Sequence, residues 1–285
     1  MIVPEADRAA GTAFPAIGGG PPEIGVYLVD KPPGPTSFRI VQQVRRALGI
    51  KKVGHAGTLD PFASGLLIIA AGRPATKLIG GLMAGEKEYE AVLRLGIETD
   101  THDPEGRVIA ERPLTDITPK RIEACLAGLR GEQLQAPPAY SAVKHEGRPL
   151  YYYARKGIAV SKEPRRVFIR ELASGGLDND RLAIRVCCSK GTYIRTLAAD
   201  IGRCLDCGAH LASLRRLRSG PFSVTNALPG AELQDSGPAR ALLLHHRMTV
   251  NEVVHKIEKS KENKAERHRA GNERQGRNES TTVRR

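Results

Sequence analysis

Residues 54 to 72 read GHAGTLDPFASGLLIIAAG. The stretch sets one carboxylate, Asp60, between a glycine-rich approach and an apolar run. Pro61 pushes the Asp60 backbone towards the extended region, which makes Asp60 the last loop residue before that run and places its side chain at the rim of a sheet. The run falls short of the about 18 uncharged residues that a membrane span needs, and Arg73 closes it. No Gly-Lys-Ser/Thr follows the glycines, so the segment is not a phosphate loop for ATP or GTP. Asp-Pro is also a common turn former, and the segment on its own reads more as a turn than as a site. The rest of the chain has to decide between them.

On the N-terminal side, EIGVYLVDKP (23–32) reads as a strand ending in a Lys-Pro turn. Thr36 or Ser37 then caps a helix through Leu48, with Val41, Val44 and Leu48 on one face and Gly49 as its stop. The opposite face carries Arg39, Arg45 and Arg46, and Lys51 and Lys52 follow. On the C-terminal side, YEAVLRLG (89–96) and RLAIRVCCSKG (181–191) alternate as half-buried strands do. TPKRIEACLAGLRG (118–131) predicts a helix with Thr118 as cap and Pro119 in its first turn. TYIRTLAADIGRCL (192–205) predicts another, with Ile194, Leu197, Ala198, Ile201 and Leu205 turned inward. Strands and helices mix without a regular βαβ rhythm, which predicts an α+β fold.

The chain has 285 residues, a formal net charge of +13 and a pI near 9.8. A length of this order buries a real core, and an excess of positive charge attracts polyanions, nucleic acid first. Five cysteines, an odd number, argue against a disulfide framework. Cys204 and Cys207 have zinc-like spacing but no second pair, while adjacent Cys187 and Cys188 point to opposite faces of a strand. All five, Cys125 included, are therefore expected to be buried small hydrophobes, with no metal site. Residues 1–22 lack the pattern of a secretory signal and read as a flexible leader, and the protein is expected to be cytoplasmic. Residues 229–246 read as a short extension, and 247–285, polar and densely charged, as a disordered tail.

Five motifs occur in order: DKPPGPTS (30–37), GHAGTLDPFASGLL (54–67), KEYEA (87–91), PPAYSAVKHEGRPLYYYARKG (137–157) and SKGTYIRTLAADIG (189–202). Together they resemble the TruB family of tRNA pseudouridine synthases from about Ile24 to Leu228. The resemblance implies a catalytic domain over 23–228 with the pseudouridine synthase fold: a mixed, largely antiparallel sheet flanked by helices and loops, and an active-site cleft across the sheet. It implies isomerisation of uridine 55 in the T-arm loop of tRNA, with base flipping, no cofactor and no metal. The expected partner is tRNA, with no membrane, no obligatory protein partner, and a monomeric enzyme. The small PUA-like RNA-binding domain usual at the C-terminus of bacterial members has no counterpart in the motifs. Two other readings stand beside this one: a guide-RNA-dependent synthase subunit, and an RNA-binding folding helper without catalysis.

By the same resemblance Asp60 is the essential aspartate, acting on the sugar as nucleophile or as base. Either role requires an ionised carboxylate. Arg195 matches the arginine that pairs with it and is expected to keep it charged and oriented. Tyr89 matches the tyrosine that stacks on the extracted base, and His55 the histidine that fills the space the base leaves. Leu217 matches an apolar wall of the uracil pocket, and Lys31 and Tyr193 further pocket residues. From charge alone, RNA phosphates are expected at Arg39, Arg45, Arg46, Lys51 and Lys52 and at the cluster Arg215, Arg216 and Arg218.

Overall fold

The structure, a computed structural model, describes residues 23–263 and 266. Its main sheet runs, edge to edge, through Leu228–Pro229, Gly25–Lys31, Ser64–Ala71, Ala209–Ser219, Lys87–Leu95, Arg181–Cys188, Arg165–Asp178 and Gly131–Gln135. Two short strands join from the side, Val53–Ala56 on Ser64–Ala71 and Phe222–Ser223 on Ala209–Ser219. Two pairings along this path are parallel, at Gly25–Lys31 with Leu228–Pro229 and at Ala209–Ser219 with Ser64–Ala71, and the others are antiparallel. The α+β class with a mixed, largely antiparallel sheet is therefore what the chain adopts.

The continuous apolar run of the opening stretch follows from its place in this sheet. Leu67, Ile69 and Ala71 face one hydrophobic cluster, and Leu66, Ile68 and Ala70 face another on the opposite side. A strand covered on both faces loses the polar alternation of a half-solvated one. The first cluster is roofed by helices Ser37–Leu48, Pro119–Gly128 and Ile194–Cys204, through residues such as Val44, Leu126 and Leu197. Thr36 caps the first of these helices, accepting from the Arg39 amide, and Gly49 ends it in the left-handed region. With the cap filled by Thr36, the Ser37 hydroxyl turns to the Asp60 loop, where it donates to the Leu59 carbonyl and accepts from the Leu59 amide, at 2.8 and 2.9 Å. One buried serine thus pins the residue before Asp60 to the first turn of a helix.

The tail expectation fails for its first part. Met248 pairs with Val26 as an isolated bridge, and 250–263 is helical, with Val253 fully buried in the second cluster. Thr249 and Glu252 form a reciprocal cap: the Glu252 amide donates to the Thr249 hydroxyl, and the Thr249 amide donates to the Glu252 carboxylate. Charge density obscured the two apolar anchors that order this segment. The leader 1–22 and the tail beyond residue 263, apart from residue 266, lie outside the described residues. Four cysteines are buried as expected, whereas Cys204 is exposed at the end of its helix. No described helix is long and apolar enough to cross a membrane.

Candidate active site

Asp60 lies in the loop between Val53–Ala56 and Ser64–Ala71, its side chain about one-third exposed. Arg195, in the first turn of Ile194–Cys204, presents its Nε to the Asp60 Oδ2 at 3.0 Å. The rest of that guanidinium is fixed from behind. Nη1 donates to the Asp103 Oδ2 at 3.1 Å and to the Thr101 carbonyl at 3.2 Å, and Nη2 donates to the Tyr140 carbonyl at 2.7 Å. Asp103 and Arg195 are both almost wholly buried, so the pair has little room to turn. Asp103 is itself held, accepting on Oδ1 from the Thr101 hydroxyl and the Glu105 amide. A rigid fork therefore delivers one N–H to Asp60 in a set direction.

Burial raises the Asp60 pKa, the Arg195 charge pulls it back, Asp103 raises it and Lys31 lowers it, with a net upward shift. Arg195 thus orients Asp60 as expected but offsets only part of the desolvation. Lys31 is fully buried, and its ammonium donates to the carbonyls of Pro32 and Pro61 at 2.9 and 3.1 Å. Burial brings its pKa down to about 8, with Asp60 as the main opposing influence. Lys31 is therefore a staple under the Asp60–Pro61 loop as well as a nearby positive charge.

A second guanidinium closes the other side. Arg216, in the central strand Ala209–Ser219, is 2% exposed and donates to three backbone carbonyls: Leu66 at 2.7 Å, Gly57 at 3.0 Å and Thr58 at 3.4 Å. Gly65 is where this strand comes closest: a Cβ there would sit 2.3 Å from the Arg216 carbonyl oxygen, and its φ of +100° is a glycine conformation. Arg216 lies beside the Tyr89 hydroxyl, and Tyr89 is buried in Lys87–Leu95, near enough to Asp60 to feel its charge. His55, half-buried in Val53–Ala56, has a lowered pKa from burial and from the Arg216 charge, and its Nδ1 is buried without a hydrogen-bond partner. Both influences favour the neutral imidazole, and its Nδ1 edge is free.

The arrangement holds an oriented carboxylate beside a buried phenol, with an imidazole that feels the same Arg216 charge. Residues 45–194 match the model for the TruB family pseudouridylate synthase N-terminal domain, and 195–259 match that for the tRNA pseudouridylate synthase B C-terminal domain. The chain belongs to the TruB family. It is a pseudouridylate synthase by that membership, an isomerase. One TruB relative, tRNA pseudouridine synthase B of Desulfotalea psychrophila, is 58% identical over 214 residues, which cover 73% of this chain and 87% of the relative. That of Aromatoleum aromaticum is 53% identical over 204 residues, covering 72% and 66%. A solved Cbf5–Nop10–Gar1 complex is similar at 32% identity and TM-score 0.58, over 74% of this chain and 54% of that one. An H/ACA RNP bound to a substrate RNA containing 2'-deoxyuridine is similar at 28% and 0.55, over 74% and 52%. The chain spans about half the length of those two solved chains.

Within this TruB site the sequence expectations divide. Asp60, Arg195, Tyr89 and Lys31 converge, and His55 joins them through Arg216. Tyr193 is the N-cap residue of the Arg195 helix, and its backbone is clamped by Gln135, which accepts from the Tyr193 amide at 2.7 Å and donates to its carbonyl at 3.1 Å. Leu217 is half-buried next to Arg216, where a bulge interrupts the pairing of the strand. Arg215, Arg216 and Arg218, expected as RNA contacts, are each engaged within the protein. Arg216 is buried under the catalytic loop, Arg215 makes a two-pronged pair with Asp30 at 3.0 and 2.7 Å, and Arg218 binds Glu88 at 3.0 Å. Their charges are used internally because the strand carrying them lies mid-sheet. Arg45 is half-buried, donating to the Val53 carbonyl at 3.0 Å, whereas Arg39, Arg46, Lys51 and Lys52 are exposed.

Asp103, Gln135 and the role of Arg216 escaped the sequence reading. A buried acid in TDTHDPEG (99–106) reads as one of several loop carboxylates, and only the partner 92 residues later distinguishes it.

Proposed function

We propose that this protein isomerises uridine 55 in the T-arm loop of tRNA to pseudouridine, without a guide RNA, as a cytoplasmic monomer. The N-glycosidic bond breaks, the uracil turns, and a carbon–carbon bond forms from C5, whose proton is released as the glycosidic nitrogen gains one. Atoms and electrons balance within the substrate, so the residues of the cleft suffice. The target base must leave its stack, at a cost of a few kcal/mol. Tyr89 offers a ring for it, and the unpartnered Nδ1 of His55 offers a polar contact to the RNA left behind.

The observation that carries this reading is the 3.0 Å contact by which Arg195 orients the Asp60 carboxylate. Whether Asp60 attacks the sugar or takes its proton, the ionised form is the working one. Affinity for the T-arm comes from the exposed Arg39, Arg46, Lys51 and Lys52, with a smaller share from Arg45.

Unmodified tRNA labelled with tritium at uridine C5 is the test. The wild type releases tritium without added guide, and Asp60→Asn lowers the rate by at least about 10³-fold. Release by both proteins, or by neither, overturns the reading. The likeness to Cbf5 complexes favours a guide-dependent alternative, and product that appears only with a guide RNA would select it.

A further inference from the structure

A cavity opens beside the loop that Lys31 staples. A cavity of about 540 Å³ lies between the 32–35 loop, helix Ser37–Leu48 and the segment Gly230–Leu233, lined among others by Pro32, Arg39, Gln43, Arg46, Ala231 and Gln234. No carboxylate lines it. Arg39 and Arg46 are exposed and make no ion pair among the described residues, unlike Arg215 and Arg218. Gln43 brings a carbonyl oxygen that is buried with no hydrogen-bond partner, an unsettled polar group that a donor from a ligand would satisfy. The volume suits one nucleotide. The walls supply its complements: guanidiniums for a phosphate, primary amides for a base edge, and proline surfaces for a base face.

The cavity is coupled to the catalytic loop. Its Pro32 wall shares the Lys31 ammonium with the Pro61 carbonyl, and the Gly34 amide donates to that same carbonyl at 2.8 Å. Two hydrogen bonds therefore join this wall to the residue that follows Asp60.

We propose that the cavity binds a nucleoside phosphate unit of the substrate RNA, flanking the flipped uridine and separate from the uracil pocket. The inference rests on the proposed tRNA activity and adds to it a second, shape-dependent grip. A free nucleotide has the same chemistry, and two measurements separate the sources.

The first is steady-state kinetics on unmodified tRNA. Ala231→Trp fills the cavity without changing charge, and the double variant Arg39→Ala/Arg46→Ala removes the guanidiniums. Each is expected to raise KM about tenfold with kcat within about twofold, the signature of lost binding rather than lost chemistry. The charge-matched Arg181→Ala/Arg203→Ala, on surface pairs remote from the cavity, shifts KM less than about threefold. The second is competition by cytidine 5′-monophosphate, which is expected to be weakened by Ala231→Trp. Unchanged KM in both cavity variants overturns the proposal, and unchanged KM with intact mononucleotide competition reassigns the cavity to a free nucleotide. An equal KM rise in the remote double variant reduces the effect to bulk charge and also overturns it. A wild type that makes no product defeats the activity instead, and so is told apart from failure of this inference.

Discussion

Two buried arginines flank the Asp60 loop, and they are treated in opposite ways. Arg195 meets two carboxylates, Asp60 and Asp103, so its charge is matched and aimed. Arg216 meets three carbonyl oxygens of the loop and of the strand beyond it and the Tyr89 hydroxyl, so its charge is solvated by neutral dipoles but not cancelled. The first arrangement fixes an anion. The second fixes a loop and leaves a positive field, which helps hold His55 neutral and lowers the Tyr89 pKa against the larger upward push of burial. A matched charge makes a reagent, and an unmatched one makes a scaffold.

Breaking the matched side should cost most. Arg195→Met leaves Asp103 buried without its cation, which costs about 3–5 kcal/mol in a denaturant titration and removes turnover. Breaking the scaffold should cost less: Arg216→Leu strips charged donors from three carbonyls, about 1.5–3 kcal/mol, with activity falling because the Asp60 loop loses its anchor. The smallest effect is expected from Tyr89→Phe, which keeps the ring and removes the hydroxyl beside Arg216, at about 0.5–1.5 kcal/mol in the same titration. If Arg216→Leu proved more costly than Arg195→Met, the contrast between the two arginines would be reversed.

That contrast was half legible in the sequence. The motif around Arg195 gave its pairing with Asp60, and the helix bearing it shows in the spacing of Ile194, Leu197, Ala198 and Ile201. Arg216 was invisible as a scaffold because LASLRRLRS reads as a basic patch. Its strand carries bulges between Leu211 and Ser213 and between Arg216 and Arg218, which shift the two-residue alternation out of phase. The long strand Arg165–Asp178 hides for the same reason, with bulges after Ile169 and Ser174. Elements with unbroken periodicity, such as Lys87–Leu95, could be read directly. The TVNE cap at residues 249–252 was equally legible in principle, a threonine followed three residues later by glutamate, but was lost among the charges of the tail.

The upward shift of Asp60 also has a sign in stability. A carboxyl that binds its proton more tightly when folded costs stability as pH rises through the interval above its unfolded pKa. Asp60→Asn, which mimics the neutral form, should therefore hold or raise the melting temperature at neutral pH while abolishing turnover. A clear fall in melting temperature would mean that the ionised pair, rather than burial, dominates.

Burial and Asp103 push the Asp60 pKa up, and Arg195 and Lys31 pull it back. The acid limb of the single-turnover rate against pH reads that balance directly, in the wild type, Lys31→Met and Asp103→Asn. Removing a cation should move the limb to higher pH, and removing the neighbouring anion should move it to lower pH. Opposite shifts in the two variants are the predicted result, and shifts in one direction, or none, would contradict it.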